Sequence, residues 1–338
     1  MADSLPSVGP GAPAEPSPPQ CPICGGDRWR LQYAGLRDRQ FDIDGEFRVW
    51  ICETCGVRRL WPVPEDLGLH YPDQYGPHSS LGRRYLRRPW HRAWSASFSS
   101  NAIIRRFARY LLRFNAAALE MWTLVGSAPR SVLDYGCGSG GFLGPASQLA
   151  TRALGLDVSE KAVTEAASRG LPARLGSYED LQLGEEQFTL IRMWHVLEHV
   201  PDPVRALSAL RAHLDEKGRL VVAVPNAASA LADVFGTDWF QLDLPRHLWG
   251  FTESSLRCAL CAAGYDVEKI LYDGKGYSVY QSMAYALRRR ESAFGLPASP
   301  APDVLVGLDA LAEVWNSQQA GDSMVFVASL RTAGQTGD

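Results

Sequence analysis

The chain has 338 residues, 46% of them hydrophobic and 21% charged, with a formal net charge of −3. That composition supplies a large apolar core and excludes wholesale disorder, while the slight acidity excludes binding of nucleic acid through bulk charge. No apolar run is long enough to cross a bilayer, no secretory signal pattern opens the chain, and seven cysteines cannot all pair, so a cytoplasmic location is expected.

In chain order, residues 1–20 hold six prolines and read as a disordered leader. Residues 21–60 contain Cys21-Pro-Ile-Cys24-Gly-Gly and Cys52-Glu-Thr-Cys55-Gly. Two such knuckles bring four thiolates together for a tetrahedral zinc site, closed and therefore structural, whereas a redox dithiol needs only one pair. The long gap between the knuckles suits a ribbon, with short strands expected at 33–36 and 46–51. Residues 61–114 form a connector, irregular and proline-rich at first. Between Gln74 and Leu119 it has nine arginines and no acidic residue. Ile103, Phe107, Leu111 and Phe114 recur at helical spacing with Arg105, Arg109 and Arg113 opposite. Such a basic amphipathic helix packs on a neighbouring domain or, across 83–114, touches a membrane surface or phosphate.

From Ser131 onward, apolar strands alternate with helices, the pattern of a parallel sheet with crossover connections. Strands are expected at 131–135, 153–157, 188–194, 219–224, 266–272 and 323–330, with a weaker one near 172–175. Helices are expected at 141–150, 159–169, 202–213, 252–263, 277–290 and 302–318. Cys258 and Cys261, on the helix at 252–263, are expected to pack as small core residues.

Ser131-Val-Leu-Asp-Tyr-Gly-Cys-Gly-Ser-Gly-Gly141 reads as a strand entering a glycine turn and then a helix. Gly136, Gly138 and Gly140 allow positive φ and close approach of a ligand. Gly136, Gly138 and Gly141 also satisfy the dinucleotide fingerprint. Asp134, just before the turn, opposes that reading, because a carboxylate there repels pyrophosphate but suits an ammonium group. Asp157, at the end of the next strand, can accept from ribose hydroxyls in either case. A third feature is the strand 188–194 running into His195-Val-Leu-Glu-His199-Val-Pro-Asp-Pro203.

With these motifs in order, the sequence resembles the class I S-adenosylmethionine-dependent methyltransferases over about residues 115–330. The resemblance implies an α/β, Rossmann-like sheet of seven strands, the last antiparallel, following a small N-terminal zinc ribbon and a helical connector. It implies that Asp134, Gly136, Gly138 and Gly140 hold the methionine part of the cofactor and Asp157 its ribose. Ser177 and Tyr178 match the adenine-contacting turn, where the family often has Asp in place of Ser177, and Trp194 ends the fourth sheet strand beside the cofactor. Gly218-Arg-Leu-Val-Val-Ala-Val-Pro-Asn226 looks like the fifth strand. In related ubiquinone-pathway O-methyltransferases an acidic residue stands at the position of His195 and the turn is associated with a divalent ion.

Candidate chemistry gathers at two places. His195 closes the fourth strand as a base or a pocket wall, with Glu198 and His199 beside it. The segment Asp238-Trp-Phe-Gln-Leu-Asp-Leu-Pro-Arg-His-Leu-Trp-Gly-Phe-Thr252 mixes aromatic and polar residues as an acceptor loop does. There His247 is the candidate base, Trp239 and Asp243 are candidate acceptor contacts, and Arg246 is a fork for a carboxylate or phosphate. Pro-Arg-His-Leu followed by Phe-Thr is similar to a bacterial methyltransferase subfamily with an N-terminal zinc ribbon, associated with cell-surface polysaccharide or secondary-metabolite pathways. The expected function is thus methyl transfer, at oxygen, to a small molecule or saccharide. An RNA methyltransferase using the ribbon and the basic helix, and a non-catalytic binding protein on the same scaffold, are the alternatives.

Overall fold

A computed structural model of the chain describes residues 17–72, 101, 130–290 and 295–331. Most of the expected leader, and the expected basic helix within 83–114, lie outside the described residues.

The apolar runs become a seven-stranded sheet. Its strands are β4 (Ser131–Tyr135), β5 (Arg152–Asp157), β6 (Ala173–Leu175), β7 (Phe188–Trp194), β8 (Leu214–Pro225), β10 (Tyr265–Tyr272) and β11 (Ser323–Leu330). The order is β10-β11-β8-β7-β4-β5-β6, with β11 antiparallel to both of its neighbours and the other pairings parallel. Leu133, Ile191, Leu220 and Phe326 are fully buried, as expected where both faces of a sheet are covered. The strand order reverses beside β4, so the carboxyl ends of β4 and β7 open a crevice where ligands bind in folds of this kind.

The helices α1 (Leu143–Leu149), α2 (Glu160–Ser168), α3 (Pro203–Arg211), α4 (Ala230–Phe235), α5 (Glu253–Ala262), α6 (Gly276–Arg289) and α7 (Pro302–Ser317) fill the connections. Their starts are set locally. Ser159 accepts from Ala162 N–H, Asp202 from Arg205 N–H with Pro203 in the first turn, and Thr252 forms a reciprocal cap with Ser255.

The N-terminal segment folds as β1 (Trp29–Leu36), β2 (Phe47–Cys52) and β3 (Arg58–Leu60). Its antiparallel sheet is completed by β9 (Trp249–Gly250), which comes from the far side of the chain and pairs Arg58 with Gly250 and Arg59 with Trp249. The sequence reading missed both β3 and β9, because each is too short for periodicity to register. Further bonds tie the ribbon down: Ser254 Oγ donates to Cys55 O, and Cys258 Sγ lies 3.4 Å from Ile23 O. Cys258 is therefore a docking residue. Cys261 departs from expectation: it is exposed, and Arg331 Nη2 lies 3.0 Å from its sulfur. Among the described residues no helix is long and apolar enough to cross a membrane.

Candidate active site

The glycine turn after β4 is held from below. Gly136 N–H and Cys137 N–H both donate to Leu156 O at 2.7 and 3.0 Å, which folds the turn over the end of β5. Gly136 has φ +78°, and a Cβ there would stand 2.2 Å from Val196 Cγ2, so no other residue fits without displacing the β7 exit. Asp157 points back into the turn. Its Oδ2 accepts from Gly138 N–H at 2.8 Å and its Oδ1 from Ser159 N–H at 2.9 Å. Val158, the next residue, stands 71% exposed at the mouth of the crevice. The Ser177–Tyr178 turn is fixed by Tyr135, whose hydroxyl accepts from Tyr178 N–H at 2.9 Å.

Asp134 lies opposite Arg192 across the β4–β7 pairing and is only 1% exposed. Arg192 Nη1 donates to Asp134 Oδ1 at 3.0 Å, and its guanidinium stacks over Phe142 and Trp194, 4.3 and 4.6 Å from their ring centroids. Burial raises the Asp134 pKa against the pull of Arg192. The structure gives Asp134 a cation through one oxygen and, among the described residues, leaves Oδ2 buried without a hydrogen-bond partner. An orphaned buried acceptor beside a glycine turn that tolerates no Cβ is the donor set expected for an ammonium-bearing ligand. The residues present therefore fit S-adenosylmethionine.

Beyond β7 the chain enters a strained turn. His195 has φ +52°, a left-handed conformation uncommon for residues other than glycine and one that surrounding contacts must impose. Its Nδ1 lies 3.2 Å from Glu198 Oε1, and Glu198 is fully buried with Oε2 unpartnered. Burial works to raise the Glu198 pKa, but the His195 bond and the neighbouring imidazoles outweigh it and the net direction is down. His199 Nδ1 lies 3.0 Å from Arg246 O and 3.0 Å from Tyr71 Oη. Burial, with repulsion from His247, lowers its pKa to about 4, which keeps the ring neutral.

His247 is brought here by the loop after α4. Its ring lies edge-on to His199 at 4.7 Å, and its Nδ1 is 2.8 Å from Gln241 O. A carbonyl only accepts, so Nδ1 carries the proton and Nε2 presents its lone pair. Asp243 Oδ2 is 3.8 Å from that nitrogen. Glu198, His199 and His247 each offer one ligand atom within 4.8 Å of the others, so the group able to hold a cation recruits His247 rather than His195.

Arg246 overturns its expected role. Its side chain is 0% exposed and its donors are spent inside the protein. Nη1 and Nη2 form a two-point contact with Asp38 Oδ2 and Oδ1 at 2.7 and 2.8 Å, and Nε and Nη2 bond Asp243 Oδ1 at 2.9 and 2.6 Å. His70 O and Leu244 O accept as well. A guanidinium so satisfied has no face for an acceptor's anion; it joins the ribbon to the loop and seats His247. Asp243 is engaged by the same contact. Trp239, 2% exposed, lines a small cavity together with His247, Gln241 and Arg58. Tyr71, Asp38, Arg58 and Tyr135 were absent from the sequence-derived site. Tyr135 sits inside the glycine-turn motif without being marked by it as a contact; the other three come from the N-terminal segment, where no motif announces them.

In the ribbon, Cys21, Cys24, Cys52 and Cys55 converge with their sulfurs within 4.8 Å of one another. The Cys21–Cys55 contact pulls the Cys21 thiol down to about 5 while the same contact raises Cys55. Four sulfurs so close resist simultaneous ionisation unless a cation neutralises them, which is the chemistry of a closed tetrahedral zinc centre.

Comparison with known proteins bears on the family of the chain. Residues 101–270 match the family described as a methyltransferase domain. A 37.1 kDa protein of transposon TN4556 in Streptomyces fradiae is 37% identical over 111 residues, 30% of this chain and 32% of the relative. A ubiquinone biosynthesis O-methyltransferase of Cereibacter sphaeroides is 29% identical over 147 residues, 40% of this chain and 60% of the relative. The chain thus spans less than two thirds of the length of these two curated relatives. The enzyme of the same name from Xanthomonas oryzae pv. oryzae is 30% identical over 172 residues, 47% of this chain and 72% of the relative. Among solved structures, the YcgJ protein of Bacillus subtilis aligns with a TM-score of 0.45 and 18% identity, over 64% of this chain and 98% of that one. With a match across half of its length and the motifs in place on the sheet, the chain belongs to the class I S-adenosylmethionine-dependent methyltransferase family.

Proposed function

We propose that this protein transfers a methyl group from S-adenosylmethionine to an oxygen of a small molecule or saccharide in the cytoplasm, with His247 as the general base. The single observation that carries the reading is the His247 ring, its Nδ1–H turned to Gln241 O and its Nε2 free to take a proton at the edge of a small cavity. The O-methyltransferase names of the Cereibacter and Xanthomonas relatives support oxygen as the acceptor atom. A secondary-metabolite or cell-surface polysaccharide pathway fits the loop's resemblance.

In this reading Asp134 and the turn at Gly136, Gly138 and Gly140 hold the cofactor's amino-acid end, with Trp194 as wall. Asp157 takes the ribose, and Ser177 and Tyr178 border the adenine. When bound, the sulfonium cofactor supplies an electrophilic methyl group. The chain's task is then to align the acceptor oxygen, exclude water and remove one proton. His247 Nε2 accepts the hydroxyl proton as the oxygen attacks, with Asp243 Oδ2 3.8 Å from that nitrogen. His195, set by Glu198, and Trp239 border the acceptor. Cys21, Cys24, Cys52 and Cys55 hold a structural zinc, so residues 21–60 act as a clamp on a catalytic domain spanning 115–338.

Titration with S-adenosylhomocysteine in a calorimeter tests the reading without knowledge of the acceptor. Wild type should bind saturably. Gly136→Val, which forces side-chain atoms into Val196, should abolish the heat; affinity unchanged in this variant would sink the assignment.

A further inference from the structure

The anion-binding role that Arg246 cannot fill has another candidate in the fold. Strand β3 alternates its side chains, so Arg58 and Leu60 share one face and Arg59 takes the other. Arg59 is stacked: its guanidinium is sandwiched between Trp61 and Trp249, 4.7 and 4.8 Å from the ring centroids, although its Nε, too, is buried without a hydrogen-bond partner among the described residues. Arg58 is not. It lines the small cavity between the ribbon and the 239–250 loop, and among the described residues its Nε is buried without a hydrogen-bond partner. Among the described residues it has no hydrogen bond and no ion pair; Tyr33 and Asp233 act on it only at longer range. Trp239 Nε1, in a residue 2% exposed that lines the same cavity, is likewise a buried donor without an acceptor.

A guanidinium largely removed from water and left unpaired is costly, and a buried indole N–H adds to the cost. Native interiors rarely retain one such group without a reason, and here three donors, Arg58 Nε, Arg59 Nε and Trp239 Nε1, belong to residues that border one void. Nothing in the lining offers them a carboxylate: the cavity is bounded by Val49, Leu60, Pro225, Leu248 and other apolar or neutral groups besides Arg58, Arg59 and His247. Gly250 permits the arrangement, since a Cβ there would lie 3.1 Å from Arg58 Cβ and push the arginine from its place.

We infer that this cavity is an oxyanion subsite, in which Arg58 of the ribbon and the Trp239 indole bind a phosphoryl or carboxylate group carried by the methyl acceptor. This rests on the methyl-transfer reading only for the word acceptor; the anion site stands on its own donors. The ribbon is then part of the acceptor pocket as well as a clamp. The substrate class narrows to anionic molecules, such as a phosphorylated saccharide or a sugar acid, with the hydroxyl to be methylated held near His247.

The test uses the full chain with its zinc and two probes, inorganic pyrophosphate and glucuronate, each titrated by calorimetry and followed by proton–nitrogen NMR of the tryptophan indoles. Saturable binding of either probe, with a shift of the Trp239 Nε1–H resonance identified by its loss in W239F, supports the subsite and tells phosphoryl from carboxylate recognition. R58Q should weaken that binding about tenfold or more, and R58K should fall between, because a charge without the fork recovers only part of the contact. Absence of binding by both probes, an unmoved indole resonance, or undiminished affinity in a folded R58Q overturns it. The wild-type NMR reading holds even where R58Q fails to fold. Titration of S-adenosylhomocysteine on the same samples separates the two proposals. Retained cofactor binding with neither probe bound defeats the subsite alone, and lost cofactor binding in wild type defeats the methyl-transfer reading.

Discussion

Asp38→Asn isolates the contact that joins the ribbon to the catalytic loop. Asp38 and Arg246 are both 0% exposed at the side chain and meet through two bonds of 2.7 and 2.8 Å. Removing one partner of a buried ion pair costs about 3–5 kcal/mol. Arg246 would keep Asp243 and two carbonyls, and asparagine would keep one oxygen for Gln40 N–H and Phe41 N–H, so the lower end applies, about 3 kcal/mol. At about 2–4 °C per kcal/mol for a domain of this size, the melting temperature should fall by about 6–12 °C. Urea unfolding of wild type, Asp38→Asn, Arg246→Met and the double variant, followed by tryptophan fluorescence, gives the pairwise term, which should be about 2 kcal/mol or more. The pH dependence follows from the sign of the shift. Burial raises the Asp38 pKa, but the Arg246 contact outweighs it and holds the folded value below the ordinary carboxylate value. Its contribution is therefore complete above about pH 4 and lost as pH falls through the folded pKa. A loss below about 1 kcal/mol, or strict additivity of the two single variants, would refute the reasoning.

Other consequences are equally direct. His247→Ala should lower the rate of methyl transfer by about 10²–10⁴-fold while S-adenosylhomocysteine affinity stays unchanged; a rate constant equal to wild type would remove His247 as the base. Metal analysis should find about one zinc per chain, and chelation should unfold the ribbon, exposing thiols to a colorimetric reagent, whereas Cys24→Ser should release the metal under milder conditions. His199, lowered to about 4 by burial, contributes stability present above its unfolded pKa near 6.5 and lost as pH falls toward 4. Over that window wild type should lose about 3 kcal/mol more than His199→Gln in urea titrations, and parallel curves would count against a neutral buried ring.

What was legible in the sequence had a local cause. The turn at Gly136, the cap residues Ser159 and Asp202, and the apolar runs of the sheet are set by neighbours within a few positions, so chain order alone exposes them. The missing parts were those whose meaning depends on a distant partner. Strand β9 is two residues long and is a strand only because β3 lies beside it. Tyr71 enters the site through a bond to His199, far along the chain, and no pattern around Tyr71 signals it.

The arginines show the division most clearly. By itself the sequence determined which residues could carry charge and which cofactor the glycine turn suits, because residue type and spacing fix donors, acceptors and φ. Only the tertiary structure decided which charges remain available. Arg246, placed by its motif as the anion fork, is consumed by Asp38 and Asp243, whereas Arg58, with no motif around it, borders a cavity with an unpaired donor. A guanidinium binds whatever acceptor packing brings within about 3 Å, and that is a property of the folded chain rather than of its order.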